Sequence, residues 1–262
     1  MIYKQKQLHY EVIGNGPTLM LVHGFGEDSS VWRLQREAFP GFQLILPDLP
    51  GSGASELIDD MSMEGLADSL LAILDQEKIE QCILIGHSMG GYVALAFAEK
   101  YASRLKGLGL FHSTAFADSQ EKIETRQKGI AFIQEHGAFA FLRTSTPNLF
   151  SPLSKQIHKN LIEEQVQRSD IFTNAALICY YESMIKRPDR THLLKNTPLP
   201  VLFIVGRHDG AVPLQDSLQQ CHLPALSYVH ILEDSGHMGM LEQTNESNRY
   251  LLDFISDLSK LS

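Results

Sequence analysis

Short apolar runs recur along the chain, each bounded by polar or turn-forming positions. They lie at residues 19–22 (LMLV), 43–46 (QLIL), 82–85 (CILI), 108–111 (LGLF), 201–205 (VLFIV) and 228–232 (YVHIL). These runs are too short to be free-standing helices and are rich in Val, Ile, Leu and Phe, as strands buried on both faces are. Helix-period segments separate them. Residues 63–77 place Leu66, Leu70, Leu71 and Leu74 on one face, and residues 88–101 are Ala-rich and apolar. Residues 246–258 close the chain with Leu251, Leu252, Ile255 and Leu258 on one side. Residues 4–13 read as a hairpin that adds antiparallel strands at one edge. The alternation predicts an α/β fold, a mostly parallel central sheet with helices on both faces.

One region breaks the rhythm. Between residues 114 and 190 no convincing strand occurs. Three helical stretches are expected instead, at 120–135 (ending at Gly137), 153–167 and 171–186, with Asp118 and Glu121 resembling a capping box. The pattern divides the chain into a core, residues 1–113 and 191–262, and a helical cap insertion, residues 114–190. The insertion carries more aromatic residues than a free surface loop needs. The carboxyl edge of the sheet, where open α/β sheets place their active sites, is the surface on which they would pack. Phe139, Phe141, Phe172 and Tyr180 are therefore expected to bind substrate.

Composition narrows the class of partner. At 44% hydrophobic and 20% charged, the 262 residues supply an ordinary globular core. A net charge of −9 argues against a nucleic-acid backbone or an anionic membrane as partner. No apolar run approaches the roughly 20 residues of a membrane helix, and the first residues lack a signal-peptide pattern. The three cysteines, Cys82, Cys179 and Cys221, are far apart and form no C-x-x-C pair, which suits a reducing, cytoplasmic setting. Nothing in the pattern specifies an oligomeric state.

Chemistry enters at Gly86-His87-Ser88-Met89-Gly90, a G-x-S-x-G motif. A buried-strand run leads directly into it and an apolar helix leads directly out. That context marks a nucleophile elbow: a sharp strand-to-helix turn with small residues two before and two after a serine exposed at the tip. The helix N-terminus there favours developing negative charge.

On these residues the chain resembles the α/β-hydrolase family, in its serine-nucleophile, esterase-like branch with a helical cap. His23-Gly24-Phe25-Gly26 resembles that family's oxyanion loop, and Asp48-Leu49-Pro50-Gly51-Ser52-Gly53 resembles its D-x-P-G-x-G turn. The resemblance implies an oxyanion hole built from the backbone N–H groups of Phe25 and Met89, with His23 bracing the loop and Asp48 bonding the turn. The family's chain order, Ser then acid then His, points to Asp209 in Gly206-x-x-Asp209-x-x-x-Pro213 and to His237 in the last loop before the final helix. Asp118 and Asp234 are the reserve acids. His87, His112 and His208 sit near strand ends but at the wrong positions, and are read as supporting or structural.

No H-E-x-x-H, clustered Cys/His spacing, Walker loop or dinucleotide fingerprint occurs, so no cofactor and no metal are implied. The expected activity is that of a serine hydrolase cleaving small to medium carboxylic esters through an acyl-enzyme. Other uses of the same residues remain open: carbon–carbon bond hydrolysis, cofactor-free lyase chemistry or perhydrolysis, or a ligand-binding receptor on this fold.

Overall fold

In the computed structural model, which describes residues 1–260, the chain opens with a two-stranded antiparallel ribbon, β1 (Ile2–Tyr3) and β2 (Lys6–Gln7). Strand β3 (Tyr10–Gly14) follows but pairs with neither; it runs antiparallel to β5 (Gln43–Pro47) at the edge of the main sheet. The expected hairpin over 4–13 is thus displaced. The chain reverses earlier, at Lys4 and Gln5, both at positive φ, and only one antiparallel strand joins the sheet.

The remaining apolar runs form β4 (Thr18–Val22), β6 (Cys82–His87), β7 (Leu105–Phe111), β8 (Val201–Gly206) and β9 (Ser227–Leu232). The seven-stranded sheet has the order β3-β5-β4-β6-β7-β8-β9, and every pair except β3–β5 is parallel. The two-residue period of a strand splits its side chains between two cores. Met20, Val22, Leu84, Leu108, Leu110 and Phe203 join one cluster with residues of α1 (Met63–Gln76) and α2 (Met89–Tyr101). Leu19, Leu21, Ile83, Ile85, Leu202 and Ile204 join the other with Leu251, Phe254, Ile255 and Leu258 of the last helix. Because both faces are covered, these strands read as continuous apolar runs rather than alternating ones.

From β4 the chain moves to β5 on one side, and from β6 to β7 on the other. The crevice between the carboxyl ends of β4 and β6 is therefore the topological switch point, where a ligand site is expected in such a sheet.

Between β7 and β8 lie α3 (Gln120–His136), α4 (Ala138–Ser145), α5 (Ser154–Ile157), α6 (Lys159–Arg168), α7 (Asn174–Lys186) and α8 (Thr191–Asn196). Helix α4 was not visible in the periodicity, and the stretch expected as one helix at 153–167 breaks at His158. The helix expected from residue 171 starts at Asn174, after Thr173 caps it by accepting from the Ala176 N–H. The cap of α3 is also shifted. Ser119, not Asp118, accepts from the Lys122 N–H, while the Asp118 side chain is fully buried between Arg126 (2.6 Å) and Arg187 (2.9 Å). An arginine-paired carboxylate is not free to cap. The chain finishes through α9 (Leu214–Leu218), α10 (Gly239–Glu242) and α11 (Thr244–Lys260). Among the described residues no helix is long and apolar enough to cross a membrane.

Candidate active site

The turn from β6 into α2 is as tight as the motif requires. A Cβ on Gly86 would lie 2.1 Å from the Gly90 carbonyl oxygen, and one on Gly90 would lie 2.5 Å from the carbonyl oxygens of Val22 and His23. No side chain fits at either position. Between them Ser88 adopts φ 51° and ψ −116°, a conformation that costs a non-glycine residue roughly 1–3 kcal/mol and persists only where the surroundings enforce it. Its N–H donates to the Phe111 carbonyl (3.0 Å) and its carbonyl accepts from Ser113 Oγ (2.7 Å), which pins the turn to β7. The Ser88 hydroxyl itself makes no hydrogen bond among the described residues, so no Ser88–His237 bond is formed in this structure.

The loops after β8 and β9 bring Asp209 and His237 together. His237 Nδ1 lies 2.8 Å from Asp209 Oδ2, and both side chains are almost fully buried. The other carboxylate oxygen, Oδ1, accepts from the N–H groups of Ala211 and Val212, each at 2.8 Å. Burial opposes the charge on Asp209, but His237 beside it and hydrogen bonds from His112 and His237 outweigh that and hold the carboxyl far below its usual range. For His237 burial likewise opposes the charge, yet the Asp209 carboxylate prevails and raises the imidazole above its ordinary value of 6.5. The carboxylate can accept only if Nδ1 carries the proton. That leaves Nε2 as the basic nitrogen.

His112, read from the sequence only as a supporting residue, places Nδ1 3.1 Å from the same Asp209 oxygen. Its Nε2 accepts from the Gly239 N–H (3.2 Å). Burial lowers its pKa, and its Nδ1 also faces the Gly206 N–H at 3.1 Å, so the ring ties Asp209 to the ends of β7 and β8. The reserve acids stand elsewhere, Asp118 between its arginines and Asp234 in the exposed part of the β9–α10 loop. His208 is exposed as well.

Two carboxylates that the motifs did not reveal hold these loops. Glu27 Oε2 accepts from the Gly24 N–H (2.7 Å) and lies 2.9 Å from His87 Nδ1, while His87 Nε2 faces the His237 carbonyl at 2.9 Å. Burial works against the Glu27 charge, but His87 and the Gly24 N–H overcome it and lower its pKa. Glu242 Oε1 accepts from the N–H groups of Gly236 (2.9 Å) and Met238 (3.0 Å), and its Oε2 from that of Ser151 (2.8 Å). An acidic residue five positions after a loop histidine carries no pattern that distinguishes it from a helix surface.

His23 braces its own loop: Nδ1 bonds the Gly24 carbonyl (2.8 Å) and Nε2 accepts from the Leu49 N–H (2.9 Å). Asp48 accepts from Ser29 and Ala54 and so knits the following turn. The loop lies against the elbow, since a Cβ on Gly24 would sit 3.1 Å from Ser88 Cβ. Among the described residues the N–H groups of Phe25 and Met89 have no partner.

Residues 19–247 match the Alpha/beta hydrolase family. The chain belongs to that family. A 2-hydroxy-6-oxononadienedioate/2-hydroxy-6-oxononatrienedioate hydrolase from Paraburkholderia phymatum is 30% identical over 95% of this chain and 91% of its own. A pimeloyl-[acyl-carrier protein] methyl ester esterase from Vibrio vulnificus is 29% identical over 94% of this chain and 97% of its own. Among solved structures, a thermophilic esterase from Thermogutta terrifontis superposes with a TM-score of 0.92 at 31% identity, covering 97% of this chain and 94% of that one. This α/β-hydrolase is accordingly an enzyme, a hydrolase.

A cavity of about 90 Å³ opens between the Phe25 loop, the helices after β7 and the His237 loop. Its apolar wall is formed by Phe25, Leu142, Leu149, Tyr181 and Met238. None of the four aromatic residues expected to bind substrate borders it. Tyr180 is fully buried and bonds the Pro50 carbonyl (2.6 Å) and Ser52 Oγ (2.8 Å), so it anchors the helices to the Asp48 turn. Phe172 is buried in the α1–α2 cluster. Phe141 meets Phe25 edge-on at 6.3 Å without bordering the cavity, and Phe139 is half-buried and does not border it either. The neighbour of Tyr180, Tyr181, is the one that stacks on Phe25, at 4.2 Å and 8°. One helical position rotates a side chain by about 100°, enough to exchange core for cavity.

Of the described residues, one group could hold a cation: ring nitrogens of His112 and His237 and a carboxylate oxygen of Asp209 lie within 4.8 Å of one another. Each ring is already engaged with the carboxylate at hydrogen-bond distance, which uses the atoms a metal would need.

Proposed function

We propose that this α/β-hydrolase is a serine hydrolase acting on small carboxylic esters, with Ser88 as nucleophile, His237 as base and Asp209 as the group that orients it. The observation that carries the reading is a strained serine at the elbow together with a buried Asp209–His237 couple that leaves His237 Nε2 basic, the His237 backbone being held 2.9 Å from the side chain of His87, next to Ser88. Ser88 Oγ attacks the ester carbonyl as His237 takes its proton. The unpartnered N–H groups of Phe25 and Met89 receive the oxyanion, and each such donor is typically worth about 3 kcal/mol of barrier. His237 then protonates the departing alcohol, activates water, and the acyl-enzyme is hydrolysed. The helices at 114–190 serve as a cap over the site. Cys82, Cys179 and Cys221 are all free, which fits a cytoplasmic setting.

Carbon–carbon bond hydrolysis is the second reading, because the Paraburkholderia phymatum relative is named for a dioate substrate. The cavity beside the Phe25 loop, which Ser88 and His237 do not themselves line, offers a dianionic substrate no cation. The one charged residue on its wall is Glu27, a carboxylate, and no Lys or Arg faces it.

A fluorophosphonate should label the wild type at Ser88 alone. Ser88→Ala should lose several orders of magnitude in kcat on a p-nitrophenyl ester, since such groups act as a unit. Labelling elsewhere, or near-normal turnover by the variant, would remove Ser88 from its role.

A further inference from the structure

The cavity beside the Phe25 loop is not uniformly apolar. On the side of the helices it is bordered by Ser145, Thr146 and Gln165. Gln165 is only 5% exposed, and its Oε1 is buried without any hydrogen-bond partner. Its Nε2 has none either, and neither have the hydroxyls of Ser145 and Thr146, among the described residues. Buried amides are almost always bonded, and one that is not incurs a desolvation cost with nothing in the fold to offset it.

We propose that Gln165 is a specificity residue that hydrogen-bonds a hydroxyl on the substrate, so that the preferred substrates are short hydroxylated esters rather than plain alkyl ones. A hydroxyl both donates and accepts, and so satisfies the amide whichever way it is turned. At about 90 Å³ the cavity has room for a short substituted chain. The inference rests on the ester-hydrolase reading above.

Two series of esters test it, one varying the acyl chain and one the alcohol. Butyrate is compared with 2- and 3-hydroxybutyrate as p-nitrophenyl esters, and ethyl with 2-hydroxyethyl acetate. In one series the wild type should favour a hydroxylated member by about ten- to a hundredfold in kcat/KM, the range expected when a buried polar group is either paired or left unpaired. Gln165→Leu should bring that ratio to within about threefold while plain esters are turned over at least as well as by wild type. The variant should also be no less heat-stable, since removing an unpaired buried amide relieves a cost; Gln165→Met repeats the measurement with a side chain of similar length. No hydroxyl preference in either series, a preference that survives both variants, or a loss of stability in both would overturn the proposal and leave the ester reading standing. If no ester is turned over at all, both fall together.

Discussion

Replacing Asp209 by Asn tests the geometry most sharply, because the structure dictates which way the new amide must face. Oδ1 accepts from the N–H groups of Ala211 and Val212, so the amide oxygen of Asn must take that place. The amide NH₂ then points at His237 Nδ1, 2.8 Å away, and at His112 Nδ1, 3.1 Å away. A donor facing Nδ1 demands a lone pair there, so the His237 proton moves to Nε2. That nitrogen can no longer take a proton from Ser88. In the serine protease triad the same change lowers kcat by about ten thousandfold, or about 5.4 kcal/mol at 1.36 kcal/mol per factor of ten. The same loss is expected here, with a circular dichroism spectrum like that of wild type and a modest fall in Tm. The assay is kcat/KM on a p-nitrophenyl ester, corrected for any trace of wild-type enzyme by fluorophosphonate titration. Retention of more than a tenth of the activity would mean that Asp209 does not set the His237 tautomer.

Activity should rise with pH as His237 loses its proton, and because the Asp209 carboxylate raises that pKa, the midpoint of kcat/KM should lie above 6.5 rather than at histidine's ordinary value; a midpoint below 6 would contradict it. Asp209 is held ionised below its unfolded value of 3.8, so its contribution to stability is present above that pH and lost as pH falls below about 4, which acid unfolding followed by fluorescence can read. Glu242→Ala strands the buried N–H groups of Gly236 and Met238 in the His237 loop and that of Ser151 in the helical insertion, so a loss of about 3 kcal/mol or more is expected in urea denaturation, together with reduced activity from a displaced His237. Tyr180→Phe should cost about 1 kcal/mol and leave chain-length preference unchanged, whereas Tyr181→Ala, which opens the cavity wall, should move that preference by ten- to a hundredfold; the reverse result would return Tyr180 to the pocket.

Local pattern was enough to place most of the scaffold. Strand runs such as 82–85 are apolar on both faces because helices cover both sides of the sheet, and, although Gly90 makes room for Val22 and His23 at the end of the neighbouring strand, Gly86 records a clash that a Cβ would meet only four residues on, at the Gly90 carbonyl. Features of that kind depend on near neighbours, so a reading along the chain finds them. Asp209 and His237 were legible only through the resemblance to the family, whose chain order and G-x-x-D-x-x-x-P segment single out one loop acid and one loop histidine. The contacts that fix their chemistry were not. Glu27 reaches His87 across 60 positions of chain, Glu242 reaches Ser151 across 91, and His112 reaches Asp209 across 97. The helices at 114–190 show the same division. Their aromatic residues announce a packed layer, but which rings are core and which border the cavity turns on helix rotation, which places Tyr181 and not Tyr180 on its wall. Gln165 is the extreme case: in sequence it is one more polar residue on a polar helix, and only tertiary packing buries it beside the cavity with no protein partner for its amide oxygen.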